Sequence, residues 1–191
     1  MRPFGILRDV NENGCTVTGR FGHGALAAAL VTATLIAGAA CGGGVSRAER
    51  AVVRAYIQAL RPLAQEGGRV VVEGMRPALS DLQKGRINGE QFRGQAQGWR
   101  NEMQRVRDGF KAVVPPPRLR AAADLFDQSL AGYLDAIDAF VAASVKTGEA
   151  LKAAITAAVP IAERADKTYD RAKSLLDVER KRVGLPSSVT V

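Results

Sequence analysis

The chain has 191 residues, of which 47% are hydrophobic, 5% are aromatic and 24% are charged. These proportions are those of a folded chain and exclude wholesale disorder. The formal net charge of +8 at pH 7 indicates an acidic partner or an anionic surface. Two cysteines and one histidine leave little material for a disulfide framework, a histidine-based metal site or a histidine-activated nucleophile. We therefore expect no cofactor.

An uncharged run of apolar and small residues occupies positions 25–40, ALAAALVTATLIAGAA, and Arg20 precedes it. The run is shorter than the roughly 20 residues that a membrane-spanning helix needs. Its length and the preceding positive charge are typical of a secretory signal. We predict that residues 1–40 are a signal peptide. Acidic residues upstream are unusual in such a leader, so Val17 is an alternative start.

Small residues directly before Cys41 and three glycines directly after it resemble the lipobox of bacterial lipoprotein precursors. The resemblance implies that Cys41 is diacylated, becomes the new N-terminus and holds the protein on the extracytoplasmic face of the cell membrane. Residues 41–45 would then be the lipidated cysteine and a flexible tether. Two alternatives remain open, namely an ordinary signal peptide cut after Ala40 and an uncleaved anchor.

The rest of the chain carries helical patterns. Ser46 and Glu49 have the spacing of a capping box at the start of a first helix. Pro62 and glycines 67–68 should kink or split this helix, and Gly85 should end it. Asn88 and Gln91 predict a second capping box, at the start of the second helix.

The three later helices carry apolar residues at alternating spacings of three and four, which is the pattern of helices packed lengthwise. These seams are Phe92, Ala96, Trp99, Met103, Val106, Phe110 and Val113; Ala123, Phe126, Leu130, Tyr133, Ile137, Phe140 and Ser144; and Leu151, Ile155, Ala158, Ala162, Ala165, Tyr169, Ala172 and Leu176. We predict an all-α fold in which residues 46–184 form an antiparallel up-down-up-down four-helix bundle. Residues 185–191 should be a frayed tail.

Arginines recur every seven residues on the second helix, beside its apolar seam, at Arg86, Arg93, Arg100 and Arg107. They are the candidate residues for binding an anionic surface, either lipid headgroups or an acidic wall polymer. The alternative is that they flank the core and pair with acidic residues of the following helices. Nucleic acid is disfavoured as a partner by the export signal.

Pairs of aspartates share a helix face at positions 124 and 127, 135 and 138, and 166 and 170. Such pairs can bind a divalent ion or act as acid and base, but neighbouring Arg and Lys favour a solvated helix surface. Trp99 lies on a seam and is interpreted as a core residue.

The alanine- and arginine-rich style, the PPP-x-L sequence at 115–119 and the segment Tyr169-Asp170-Arg171 are similar to small helical envelope lipoproteins from high-GC Gram-positive bacteria. That resemblance implies no activity. We therefore expect a non-enzymatic binding or structural module. A carrier of an apolar ligand and a carboxylate-based metal-dependent hydrolase are the alternatives. A filled core would favour the structural module, a large apolar cavity the carrier, and a buried acidic cluster the hydrolase.

Overall fold

The computed structural model describes residues 44–191, which fold as an all-α domain without strands. The elements are α1 (Arg47–Arg69), a π-helical segment (Val70–Met75), α2 (Arg76–Gln83), α3 (Gly89–Ala112), a 3-10 turn (Pro117–Leu119), α4 (Arg120–Ala143) and α5 (Gly148–Arg182). The predicted all-α class is confirmed. The predicted signal peptide, the alternative start at Val17 and Cys41 lie outside the described residues. No helix between residues 44 and 191 is long and apolar enough to cross a membrane.

The first helix does not break where the sequence predicted. It runs through Pro62 and glycines 67–68 without interruption to Arg69. A proline removes one backbone hydrogen bond, and a glycine weakens a helix by about 1 kcal/mol relative to alanine. Packing offsets these local costs, because Leu60 is fully buried and a Cβ at the first glycine would lie 3.4 Å from Val106 Cγ1.

A change in hydrogen-bond register, rather than a break, divides the first helix from α2. The backbone N–H of Arg76 donates to the carbonyl of Val71, five residues earlier instead of the four of an α-helix. The turn enclosed by this hydrogen bond therefore contains one additional residue. The wide turn keeps Val70, Val71 and Met75 buried. Gly85 follows the end of α2 with φ of +68°, as its predicted role as a terminator requires.

The two predicted capping boxes have different outcomes. At Asn88 both bonds are present, since its Oδ1 accepts from the Gln91 amide at 2.9 Å and its own amide donates to Gln91 Oε1 at 2.9 Å. At Ser46 the hydroxyl accepts from the Glu49 amide at 3.0 Å, but the Glu49 carboxylate bonds Arg182 instead of returning to the cap. The second box is confirmed, and the first forms only its serine half.

The three predicted seams supply 15 of the 31 buried hydrophobic residues between positions 44 and 191. Buried seam residues are Phe92, Ala96, Met103, Val106 and Phe110 on α3; Phe126, Leu130, Tyr133, Ile137 and Phe140 on α4; and Ile155, Ala158, Ala165, Ala172 and Leu176 on α5. Ala122 is buried in place of the predicted Ala123. Five other seam residues are only partly buried but pack against this core: Trp99, Val113, Leu151, Ala162 and Tyr169. The periodicity therefore identified the right faces, although not every seam residue is fully buried.

Residues 185–191, predicted to be a frayed tail, contact the helical domain. Arg61 of α1 donates from Nε to the carbonyl of Thr190 at 3.0 Å and from Nη2 to that of Ser188 at 2.9 Å. Leu185 is buried, and Val191 packs against the core. The tail lies against the domain because its apolar residues gain burial there and Arg61 binds its carbonyl groups.

Candidate binding surfaces

Each arginine of the predicted anionic-surface stripe has a partner within the protein. Arg86 Nη1 lies 3.1 Å from Asp81 Oδ1, and Arg93 Nη1 donates to the Ser144 carbonyl at 3.3 Å. The other two pair across to α4. Arg100 Nε lies 2.9 Å from Asp138 Oδ1, and Arg107 Nε lies 2.6 Å from Asp127 Oδ1.

The Arg107–Asp127 pair is the most constrained of these contacts. Both guanidinium nitrogens, Nε and Nη2, bond the two carboxylate oxygens, and the two side chains are only 24% and 33% exposed. The hydrogen bond from Arg107 lowers the pKa of Asp127, and the same bond raises the pKa of Arg107. The contacts of Arg100 and Arg107 agree with the alternative interpretation, in which the stripe joins α3 to α4.

One member of each aspartate pair makes its own separate contact. Asp127 and Asp138 bind the arginines already described, and Asp166 Oδ1 accepts from the Tyr133 hydroxyl at 2.5 Å. Burial, followed by this bond, raises the pKa of Tyr133. Between residues 44 and 191 no three His, Cys, Asp or Glu side chains lie close enough together to hold a metal ion.

Tyr169, in the segment Tyr169-Asp170-Arg171, is a packing residue. Its ring meets that of Phe126 edge-on, with centroids 5.3 Å apart. Burial raises the pKa of its hydroxyl to about 12. Lys173 Nζ lies 5.9 Å from the centroid of the ring. The segment therefore contributes to the core, with the charged residues outside it.

A groove lies around Trp99. Its volume is about 610 Å³, and it lies between α3 and the stretch formed by the π-helical segment and α2. The indole packs edge-on against Phe92, with centroids 5.7 Å apart and an interplanar angle of 74°. A Cβ at Gly74 would lie 2.7 Å from Trp99 Nε1, so the absence of a side chain there sets the indole close to the π-helical backbone.

The groove walls are mixed in character. The apolar lining comes from Trp99, Pro77, Ala78 and Ile87, and the polar lining from Glu73, Asp81, Gln95, Glu102 and Arg105. Glu102 pairs with Arg69, and Asp81 pairs with Arg86. Glu73, Gln95 and Arg105 have exposed side chains. An aromatic surface with several polar groups at its rim is the usual composition of a site for a polar ligand.

Sequence reasoning missed this groove because the seam rule assigned Trp99 to the core. The detectable signal was the presence of glycines within helical patterns, since Gly74 and Gly98 both line the groove. Comparison with known protein families, with curated proteins and with solved structures finds no match to this chain.

Proposed function

We propose that this protein is a lipoprotein of the bacterial cell envelope, anchored through Cys41, whose helical domain is a non-enzymatic binding module. Support for the anchor comes from the order of the features in the sequence: an apolar run, small residues, Cys41 and then a glycine tether. Two acyl chains would hold the protein stably on the extracytoplasmic face. The helical domain begins at Ser46, directly after the tether.

We infer further that residues 46–184 form an antiparallel up-down-up-down four-helix bundle. Along each neighbouring pair of helices, the residue numbers that meet rise on one helix and fall on the other. These contacts are Gly67 with Val106 and Arg69 with Glu102; Arg107 with Asp127 and Arg100 with Asp138; and Phe126 with Tyr169 and Ser129 with Ala165. Glu49 and Arg182 join the first helix to the last. The contacts therefore support four helices in a closed antiparallel arrangement.

The groove at Trp99 is the observation that carries the binding role. A partly buried tryptophan beside exposed polar side chains, those of Glu73, Gln95 and Arg105, favours a ligand with both a flat apolar face and polar groups. The apolar-carrier alternative would be better served by an apolar cavity, and the hydrolase alternative by converging carboxylates. The groove has charged walls, and the aspartates are separated, so neither alternative gains a supporting observation.

The anchor is tested by lipid labelling, and the chain offers a matched control. With Cys41→Ala, the precursor should remain unprocessed and carry no lipid label. With Cys15→Ala, processing and labelling should be unchanged, because this cysteine lies within the predicted leader. Equal labelling of the two variants would contradict the lipoprotein proposal.

The binding role is tested by photo-crosslinking in the native envelope. A photoreactive residue in place of Gln95 lies in the groove, and one in place of Asp170 lies on the exposed face of α5. We expect a discrete adduct from position 95, which Trp99→Ala abolishes, and none from position 170. No adduct at 95, or equal adducts at both positions, would contradict binding at the groove.

A further inference from the structure

We propose that the end of the domain nearest Cys41 lies against the anionic lipid headgroups of the membrane that holds the anchor. The surface consists of residues 45–50, 114–120 and 177–185 and is called the tether end. The inference rests on the proposed acylation of Cys41 and adds to it an orientation and a lipid charge requirement.

Contacts around Glu49 bring these three segments together. Its carboxylate pairs with Arg182 at the end of α5 and lies 3.9 Å from Arg118 Nε in the 3-10 turn. Arg50 Nε donates to the carbonyl of Val183 at 2.8 Å. Segments separated by more than 50 residues in sequence therefore form one continuous end of the domain.

The tether end is strongly basic. Its three segments contain seven Lys and Arg against three Asp and Glu, a net charge of +4. The three acidic residues all lie in ion pairs, whereas Arg47 and Arg120 are exposed and have no ion pair among residues 44–191. Val114, which is 85% exposed, adds an apolar side chain between the charges. A basic surface with an exposed apolar residue is suited to the interface of an anionic bilayer.

The opposite end of the domain is the natural comparison. Residues 84–93 and 143–149 form it, since Gly89 lies directly against the Ser144 carbonyl. It carries four basic and two acidic residues, a net charge of +2, and two of its arginines already bind Asp81 and Ser144. Val145 is 67% exposed there, and Lys84 and Lys146 are exposed without an ion pair among residues 44–191, so this end differs from the tether end mainly in its smaller net charge.

The short linker to Cys41 places the two ends of the domain at different distances from the membrane. Four residues separate Cys41 from Ser46, which allows a reach of about 18 Å at full extension. The 35 residues of α5 span roughly 52 Å, so an upright domain holds its opposite end far from the bilayer. Electrostatic attraction acts over about 8 Å at physiological salt. The short tether therefore keeps the tether end close enough to the bilayer for this attraction to act. Each cation near the surface increases the partitioning of the domain onto the bilayer roughly fivefold.

The test uses the acylated protein, purified from membranes and reconstituted in vesicles. An environment-sensitive fluorophore is attached to Val114→Cys or, as the matched control, to Val145→Cys. The vesicles contain phosphatidylcholine alone or with about 30% phosphatidylglycerol, plus a lipid that carries a headgroup quencher. We expect at least about twofold stronger quenching at position 114 than at 145, only in anionic vesicles, and reversed by 0.5 M salt.

A charge-reversal variant tests whether the quenching depends on the two exposed arginines, and it removes no ion pair of the described residues. In Arg47→Glu/Arg120→Glu the quenching at 114 should fall to the level at 145, whereas Lys84→Glu/Lys146→Glu at the opposite end should leave it unchanged. Equal quenching at both positions, or quenching independent of phosphatidylglycerol, would overturn the proposed orientation. If the mass spectrum still shows an acylated Cys41, the proposed anchor is unaffected by that result. A mass spectrum without acyl chains would overturn both.

Discussion

Helices α4 and α5 pack more closely than α3 packs against the π-helical segment and α2. Between α4 and α5, Ser129 Oγ donates to the Ala165 carbonyl at 2.8 Å, and a Cβ at Gly132 would lie 3.1 Å from the Ala165 Cβ. Small residues let the two backbones approach and exclude ligands. On the other side of the domain, Trp99 meets the edge of Phe92 and leaves a groove of about 610 Å³. The same helical architecture thus has a side that stabilises the domain and a side that is open to binding.

The largest difference between the two sides should appear in aromatic truncations. Phe126 is fully buried and meets both Phe110 and Tyr169, so Phe126→Ala should lower the free energy of unfolding by about 3–5 kcal/mol. Trp99→Ala should cost roughly half as much, because part of the indole is already in water. Denaturant unfolding of both variants measures this. Equal losses would show that Trp99 is a core residue after all.

Two glycines of the groove provide the next test. Gly74→Ala should displace the indole and lower stability by about 1 kcal/mol, because the new Cβ would lie 2.7 Å from Trp99 Nε1. Gly98→Ala should be neutral or stabilising by up to about 1 kcal/mol, since nothing lies within 4 Å of its Cβ and alanine favours helix. Trp99 is the single tryptophan, so a shifted emission maximum in the first variant alone would report the movement. Unchanged emission in Gly74→Ala would contradict the close approach.

The Arg107–Asp127 pair makes stability depend on pH. Arg107 lowers the pKa of Asp127 below its unfolded value of about 4, so the contribution is present above that pH and is lost as pH falls through the lowered pKa. Because the pair is partly exposed, the contribution is about 1 kcal/mol. Unfolding at pH 6 and pH 2 should show a smaller acid loss in Asp127→Asn than in the unmodified protein. The control Asp170→Asn should retain the full acid loss, and identical profiles for both variants would contradict the assignment.

The smallest expected effect concerns the tail. Arg61→Ala removes the two donors that bind the carbonyls of Ser188 and Thr190, and should cost at most about 1 kcal/mol of stability. Amide hydrogen exchange in residues 185–191 should nevertheless rise clearly, because the tail loses its attachment. Arg54→Ala, at an exposed arginine one heptad earlier, should leave the tail protected. Equal exchange in both variants would show that Arg61 does not hold the tail, as the frayed tail predicted from the sequence requires.

Local patterns were sufficient for the helices themselves. The apolar spacing of three and four predicted the buried faces of α3, α4 and α5, because burial of one stripe is what stabilises a helix in a packed domain. The Asn88–Gln91 capping box was also predictable, since both partners lie within one turn. These features depend on residues a few positions apart, whose relative geometry a helix already defines.

Tertiary structure alone decided the position of the helix irregularity, the groove and the ion pairs. Pro62 and glycines 67–68 predicted a kink or a split, whereas the structure continues α1 to Arg69 and places the irregular turn at Val70–Met75. The periodicity placed Trp99 in the core, but it could not show that the indole lies against Gly74 and lines a groove. The spacing of the arginines also could not reveal that Asp127 and Asp138 lie across from Arg107 and Arg100. Sequence periodicity determines which face of a helix is apolar, whereas the neighbour facing each polar or aromatic side chain depends on how separate helices come together, and no local pattern contains that information.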